Sequence, residues 1–271
     1  MKIDQMKILV LGDIVAKIGR EAVKQTLPDF RNELSPDLVI ANCENLAQGK
    51  GITTKTIDEM MDAGVDLFTS GNHIWSRKEA YEILSDPHYA NIIIRPANYP
   101  QNAPGKGWNL FTVGAKSVLV VNFLGRVFSD VLTRDPFRLF DTIIAETAGR
   151  RPYAVLVDFH GEATSEKVAF GWHADGRAAA VWGTHTHVPT RDERVLPGGT
   201  AYISDIGMTG FRDGVIGVDR ELILRNFMNQ LPVRHEFPSS GEAVVNAALI
   251  TVGEGGQATA IEHIQKTLSI T

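Results

Sequence analysis

The segment AVWGTHTHVPT (180–190) sets two imidazoles, His185 and His187, two positions apart directly after an apolar run. Side chains two apart in extended backbone face the same side, so both rings can reach one object, and a metal ion suits them. A lone H-x-H pair is weak evidence, since surface and core histidines are common. The other apolar runs supply company. One ends at Asp13, one at Glu44 and Asn45, one at Asn72 and His73, and one at His160. In open α/β sheets, ligands bind beyond the carboxyl ends of the strands, so these side chains converge on one cleft. Taken singly, each has an ordinary explanation. Asp13 suits a turn or helix cap, Asn45 and Asn72 suit Asx-turns, and His160 suits a satisfied buried histidine. Placed this regularly at buried strand ends, they demand partners, and cations supply them.

The donor types select the ion. Carboxylate, amide oxygen and imidazole together suit borderline divalent metals such as Mn, Fe, Zn or Co, and no thiolate set is present. The donors are too many for one ion. Two ions bridged by one carboxylate and a water would use them all. Asn72 and His73 are adjacent, and neighbours at an extended strand end point opposite ways. If Asn72 faces a metal, His73 faces the substrate.

Other residues read more plainly. Cys43 is expected to be a small buried residue, and Asp205 and Gly207 in SDIGMTG to form a turn at the cleft floor. His88, His173, His235 and His263 have no strand-end partners and read as surface or satisfied residues. Arg20, Arg191 and Arg212 are weak candidates for substrate phosphate.

The elements that must position these groups alternate between strand and helix lengths, the pattern of an α/β fold with a largely buried sheet. Strands are predicted at 6–13, 37–45, 66–73, 153–161 and 178–187, with two more in GWNLFTVG and SVLVVNFLG. Helices are predicted over 20–34, bent at Pro28, over 53–64 with a Thr cap and terminal Gly, over 76–84, through DPFRLFDTIIAETAG, and around 165–170. NAALITVGEGGQATAIEHIQK reads as a hairpin with a Gly-rich turn.

With 271 residues, 44% hydrophobic and 22% charged, the chain can bury a full core as one domain spanning 1–271. A net charge of −5 and a pI near 5.9 argue against a large basic surface for duplex DNA. One cysteine cannot form an internal disulfide, which suits a reducing cytoplasm. No run reaches the roughly 20 apolar residues of a membrane span. Asp13 interrupts the first apolar segment too early for a signal peptide, although residues 1–5 could be a short leader before Met6. Self-association fits the class, and no residue requires it.

GD (12–13), GNH (71–73), His160 and GTHTH (183–187) resemble the scattered motifs of the calcineurin-like metallophosphoesterases. GDIVAKIGR, NCEN, TSGNHIW and GTHTHVPTRDERVLPGGTAYISDIGMTG are closer to one branch, the YmdB-like phosphodiesterases. Two departures from the wider superfamily are shared with that branch. Asp13-Ile14-Val15 lacks the second histidine of D-x-H, and Glu44-Asn45 replaces an aspartate. The resemblance implies a two-sheet β-sandwich flanked by helices, a four-layer α/β/β/α fold. It implies that Asp13, Glu44 and His187, with Asn45, hold one metal, and that Glu44, Asn72, His160 and His185 hold a second, iron or manganese ahead of zinc or cobalt. His73 becomes the general acid, and hydroxide bridging the metals attacks phosphorus. The implied substrate is a small phosphodiester, foremost a 2′,3′-cyclic nucleotide. A phosphomonoesterase or nuclease using the same metals is the alternative, with loops 46–53 and 125–136 deciding specificity. A regulatory nucleotide-binding protein of RNA metabolism is the non-enzymatic alternative.

Overall fold

The computed structural model describes residues 5–271. The leader expected at residues 1–5 therefore lies, but for Gln5, outside the described residues. Along the chain run β1 (Met6–Asp13), α1 (Ala16–Leu34), β2 (Leu38–Asn42), α2 (Thr54–Asp62), β3 (Leu67–Thr69), α3 (Glu79–Ser85), β4 (Trp108–Val113) and β5 (Lys116–Leu124). There follow α4 (Pro136–Thr147), β6 (Ala154–His160), α5 (Thr164–Ala174), β7 (Ala180–Thr184), β8 (Arg194–Val195), β9 (Ala201–Ile203), β10 (Gly210–Phe211), α6 (Arg220–Asn229), β11 (Gly241–Val252) and β12 (Ala258–Ile270).

Two six-stranded sheets form. In the first, β1, β2 and β3 are parallel, and β11 pairs antiparallel with β1 and β10 on one side and with β12 on the other. In the second, β5, β6, β7 and β9 are parallel, with antiparallel edges β4 and β8. Strand periodicity builds the layers. On β1, Ile8 and Val10 pack with Val118 and Val120 of β5 and Leu156 of β6 between the sheets. Leu9 and Leu11 point the other way, onto Ile18, Ala22 and Val23 of α1. On the second sheet, Leu119, Val121 and Phe159 face Phe140 of α4 and Phe170 of α5. The result is the expected four-layer α/β/β/α sandwich. Each such aliphatic side chain removed from water contributes about 1.5–3 kcal/mol.

Local differences have local causes. The first helix begins at Ala16 and carries Pro28 inside it. Thr53 caps α2 through a reciprocal box with Thr56. The helix expected from Ser76 starts instead at Glu79, because Ile74–Ser76 is a 3-10 turn, and Glu79 Oε1 accepts from the Thr54 amide at 2.7 Å. The strands expected to run to 73 and 187 stop at Thr69 and Thr184. Consequently the residues of the cleft sit on the loops that follow the pleat. No helix among the described residues is long and apolar enough to cross a membrane.

Candidate metal centre

The parallel strands of both sheets end at one cleft, and the candidate ligands lie on those ends. Asp13 closes β1 and is fully buried. Glu44 and Asn45 follow β2 in a turn held by the Asn42 side chain, whose Oδ1 accepts from the Glu44 amide at 3.1 Å. Asn72 and His73 lie in the turn after β3, with Gly71 before them. A Cβ on Gly71 would collide with Glu44 Oε2 and His160 Nε2, so only glycine lets this backbone approach the cluster. His160 closes β6, while His185 and His187 follow β7.

Seven of these candidate side chains, all but that of His73, are joined by contacts no longer than 3.8 Å. His160 Nε2 stands 3.2 Å from Glu44 Oε1, 3.1 Å from Asn72 Oδ1 and 3.0 Å from His185 Nδ1. Asn45 Nδ2 lies 3.4 Å from Glu44 Oε1 and 3.1 Å from His187 Nε2. Asp13 Oδ1 is 3.8 Å from His160 Nδ1, and Oδ2 accepts from the His185 amide at 3.0 Å. The tightest group is Glu44, His160 and His185, whose ligand atoms all lie within 4.8 Å of one another. Asp13 and His187 share no hydrogen bond. They meet only through charge and through the residues between them.

The tautomers follow from the partners. His187 Nδ1 faces the Ile216 carbonyl at 3.0 Å, so that nitrogen holds the hydrogen and Nε2 holds the lone pair. His185 Nε2 faces Glu162 Oε2 at 3.2 Å, which leaves the lone pair on Nδ1. Thr184 donates its one hydrogen to Asp158 Oδ1 at 2.7 Å and can only accept from His160 Nδ1 at 2.9 Å. The His160 Nε2 lone pair therefore points at a lone pair of His185, a carboxylate oxygen and an amide oxygen. Acceptors crowded this way repel one another unless a cation lies among them. Asp13 Oδ1, buried with no hydrogen-bond partner, adds a further orphaned acceptor. The residues present fit a metal centre.

Electrostatics agree. Burial holds His160 down at about 4, and burial with the neighbouring His160 ring holds His185 at about 4. Both rings are neutral at pH 7, the form that binds metal. Burial raises the Asp13 carboxyl, against the lowering pull of His160 and His187. Burial lowers the half-buried His73, whose backbone N–H donates to Glu44 Oε2 at 2.8 Å.

The geometry corrects two sequence arguments. His185 and His187 are not extended. Their φ values are +97° and +66°, a region costly for residues with a Cβ, so a tight turn aims both rings at the cleft. Likewise Asn72 and His73 lie in a turn leading into the 3-10 helix, with no pleat to separate them. Asp205 and Gly207 form the turn expected of them, and Asp205 also holds the histidine turn. Its Oδ2 accepts from the Thr186 hydroxyl at 2.8 Å and from buried Lys167 Nζ at 2.7 Å, and its Oδ1 from the Gly207 amide at 2.8 Å. The supporting residues Asp158, Glu162, Lys167 and Thr184 escaped sequence reasoning, although Asp158 sits two before His160 and Thr184 directly before His185.

The remaining candidates lie elsewhere. Cys43 is buried, and burial followed by the Glu44 charge pushes its thiol well up. Arg20 is tied to Glu59 at 2.8 Å, Arg191 lies 4.0 Å from Glu193, and Arg212 is exposed. His173 pairs with Asp141 at 2.9 Å, His263 with the Ile206 carbonyl at 2.9 Å, and His88 and His235 are exposed.

The chain resembles known proteins along most of its length. The family model described as YmdB-like protein matches residues 9–264. A 2′,3′-cyclic-nucleotide 2′-phosphodiesterase of Bacillus subtilis (strain 168) is 45% identical over 249 residues, 92% of this chain and 92% of that protein. A hypothetical protein from Thermus thermophilus superposes with a TM-score of 0.89 at 42% identity, over 98% of this chain and 100% of its own. A crystal structure described as a novel phosphatase from Mycoplasma pneumoniae gives a TM-score of 0.91 at 31% identity, over 99% and 95%.

Proposed function

From the premise that this chain belongs to the YmdB-like protein family, we propose that it hydrolyses 2′,3′-cyclic nucleotides at two transition-metal ions, iron or manganese ahead of zinc or cobalt. The chain is a phosphoric ester hydrolase. The observation that carries the proposal is the convergence of acceptors on His160 Nε2, where Glu44, Asn72 and His185 all present lone pairs within 3.2 Å. Glu44, Asn72, His160 and His185 would hold one ion. Asp13, Asn45, His187 and again Glu44 would hold the other. Such ions, when bound, lower the pKa of water and neutralise charge on phosphoryl oxygens.

The protein residues do the rest. Thr184 and Asp158 fix the His160 tautomer, and Glu162 and the Ile216 carbonyl fix those of His185 and His187, so every imidazole keeps its lone pair toward the cleft. Glu44 joins the two sets and offsets the repulsion between cations. His73, off the ligand set, gives a proton to the departing ribose oxygen, which leaves poorly as an alkoxide. One inter-sheet core joins residues from β1 to β12, so residues 1–271 work as one domain. The chain's single cysteine, Cys43, fits an enzyme of the reducing cytoplasm.

The test is metal analysis of protein prepared with excess Mn or Fe, followed by assays on 2′,3′-cyclic AMP, a phosphomonoester and single-stranded RNA. About two ions per chain and fastest turnover of the cyclic diester are expected. One tightly held ion contradicts the dinuclear centre, and faster monoester cleavage makes the enzyme a phosphomonoesterase. Metal-replete protein inert on every ester would point to the regulatory reading.

A further inference from the structure

Beside the metal centre, and separate from its ligands, lies a cavity of about 1090 Å³ between the start of α1, the loop after Asn45, Arg77 and the segment 233–237. It adjoins the cleft directly. The amide of Ala16, on its wall, donates to the Asn45 carbonyl at 3.0 Å, and the loop carrying Gln48 and Lys50 is the one that begins with Glu44. Its charge is one-sided. Lys17, Arg20, Lys50, Arg77 and Arg234 line it, against the single acid Glu236, in a chain whose net charge is −5.

The cations fall into two kinds. Arg20 and Arg77 are built into the wall, Arg20 through Glu59 at 2.8 Å and Arg77 through the carbonyls of Ala47 at 3.0 Å and Lys50 at 3.3 Å. Lys17, Lys50 and Arg234 are exposed, and among the described residues no carboxylate lies within ion-pair distance of them. Phe237 adds an aromatic ring to the lining, its tip so close to Gly49 that a Cβ there would collide with it.

A cyclic mononucleotide leaves this cavity unexplained. It carries one negative charge, which the metal centre takes, and small-molecule sites usually measure about 300–1,000 Å³. Cations in a groove with an aromatic face form the arrangement that binds single-stranded nucleic acid, where successive phosphates meet positive charge and a base stacks. We propose that the basic cavity is a subsite for the phosphates and bases of an oligoribonucleotide whose 3′ end is a 2′,3′-cyclic phosphate, so that the enzyme acts on RNA ends as well as on free cyclic nucleotides. This rests on the phosphodiesterase reading above. Water adds its oxygen to phosphorus, one P–O(ribose) bond of the cyclic diester breaks, and the freed ribose oxygen takes a proton. The RNA is left with a phosphomonoester end. The substrate must come from a reaction that cleaves RNA by attack of the 2′-hydroxyl, the chemistry that leaves cyclic ends.

The test compares 2′,3′-cyclic AMP with a 5′-fluorescein tetraribonucleotide ending in a 2′,3′-cyclic phosphate, using metal-loaded wild type and a Lys17→Glu, Arg234→Glu double variant. Wild type should show kcat/KM at least tenfold higher for the tetranucleotide. Its binding, followed by anisotropy, should weaken with salt at a log–log slope near −2, as about three neutralised phosphates give for a single strand. The variant should lose that tenfold advantage and flatten the slope, while its kcat/KM on cyclic AMP stays within twofold of wild type. Equal kcat/KM for the two substrates in wild type, or equal losses on both in the variant, overturns the subsite. If no ester is cleaved, the phosphodiesterase reading fails. The anisotropy still decides the cavity: binding indifferent to salt and to the double variant rejects it.

Discussion

The first sheet brings oxygen donors to the cleft, and the second brings nitrogen donors. Asp13, Glu44, Asn45 and Asn72 close or follow β1, β2 and β3, whereas His160, His185 and His187 close or follow β6 and β7. The two sets are secured differently. A carboxylate accepts through either oxygen, so Glu44 needs only a backbone fixed in place, which the Asn42 side chain provides. An imidazole must also have its hydrogen on the correct nitrogen. Each histidine accordingly has an acceptor behind it, Thr184 backed by Asp158, Glu162, or the Ile216 carbonyl. The turn carrying His185 and His187 is strained as well, and the buried Lys167–Asp205 pair holds it through Thr186. The lesson is that the Glu44 turn is fixed by a side chain two residues before it, while each histidine tautomer is set by a partner more than twenty positions away in sequence.

Glu44→Gln attacks the point where the sides meet. The amide would place N–H donors against the His160 lone pair, 3.2 Å away, and relieve the repulsion that a cation otherwise relieves. Elemental analysis should show both ions lost and the cyclic nucleotide assay no turnover above background. Retention of two metals at a near-normal rate would mean that the sides do not meet at this residue.

His73→Ala removes a group assigned to neither set. Loss of a proton donor costs roughly 10² to 10⁴ in rate, so hydrolysis of 2′,3′-cyclic AMP should fall within that range with both metals kept. An activated aryl phosphodiester, whose leaving group needs no proton, should suffer far less. A metal lost with the ring would move His73 into the ligand set.

Thr184→Val sharpens the contrast, because the shortest hydrogen bonds of Thr184, to Asp158 and His160, lie on the nitrogen side. Removing such a group typically lowers metal affinity about 10- to 100-fold. One ion should be released by a chelator more readily than from wild type, while the other stays put. Unchanged release of both ions would show that the strand end alone orients His160.

The smallest effect is on stability against pH in metal-free protein. His160 and His185 sit at about 4 in the folded chain, below the ordinary value near 6.5. As pH falls from 6.5 toward 4, the unfolded chain takes up protons that the folded chain refuses, and stability declines. Asp158, which burial raises to about 7, opposes this, since the folded chain keeps a proton there that the unfolded chain releases above about 4. Burial also lowers His73, which adds to the decline, and raises Asp13, which opposes it with Asp158; three groups outweigh two, so urea midpoints should drop between pH 6.5 and 4. Asp158→Asn should steepen the drop. A midpoint that rises on acidification would mean the histidines are not held neutral.

The amino-acid sequence on its own determined the layers and the ligand types. Ile8, Leu9, Val10 and Leu11 alternate between two cores because strand side chains must, and donors placed after apolar runs must lie at strand ends. Short elements left little trace. Ala201–Ile203 is three residues long, too few for a period, and α6 buries only Ile223, so no apolar stripe marks it as a helix. Tertiary structure alone decided how the donors are aimed. The positive φ of His185 and His187 replaces the pleat expected there, and Asp205 draws its charge partner Lys167 from 38 positions away. Periodicity is a property of neighbouring residues and can be read along the chain. Tautomers, orphaned acceptors and buried charge pairs arise only where distant segments exclude water together.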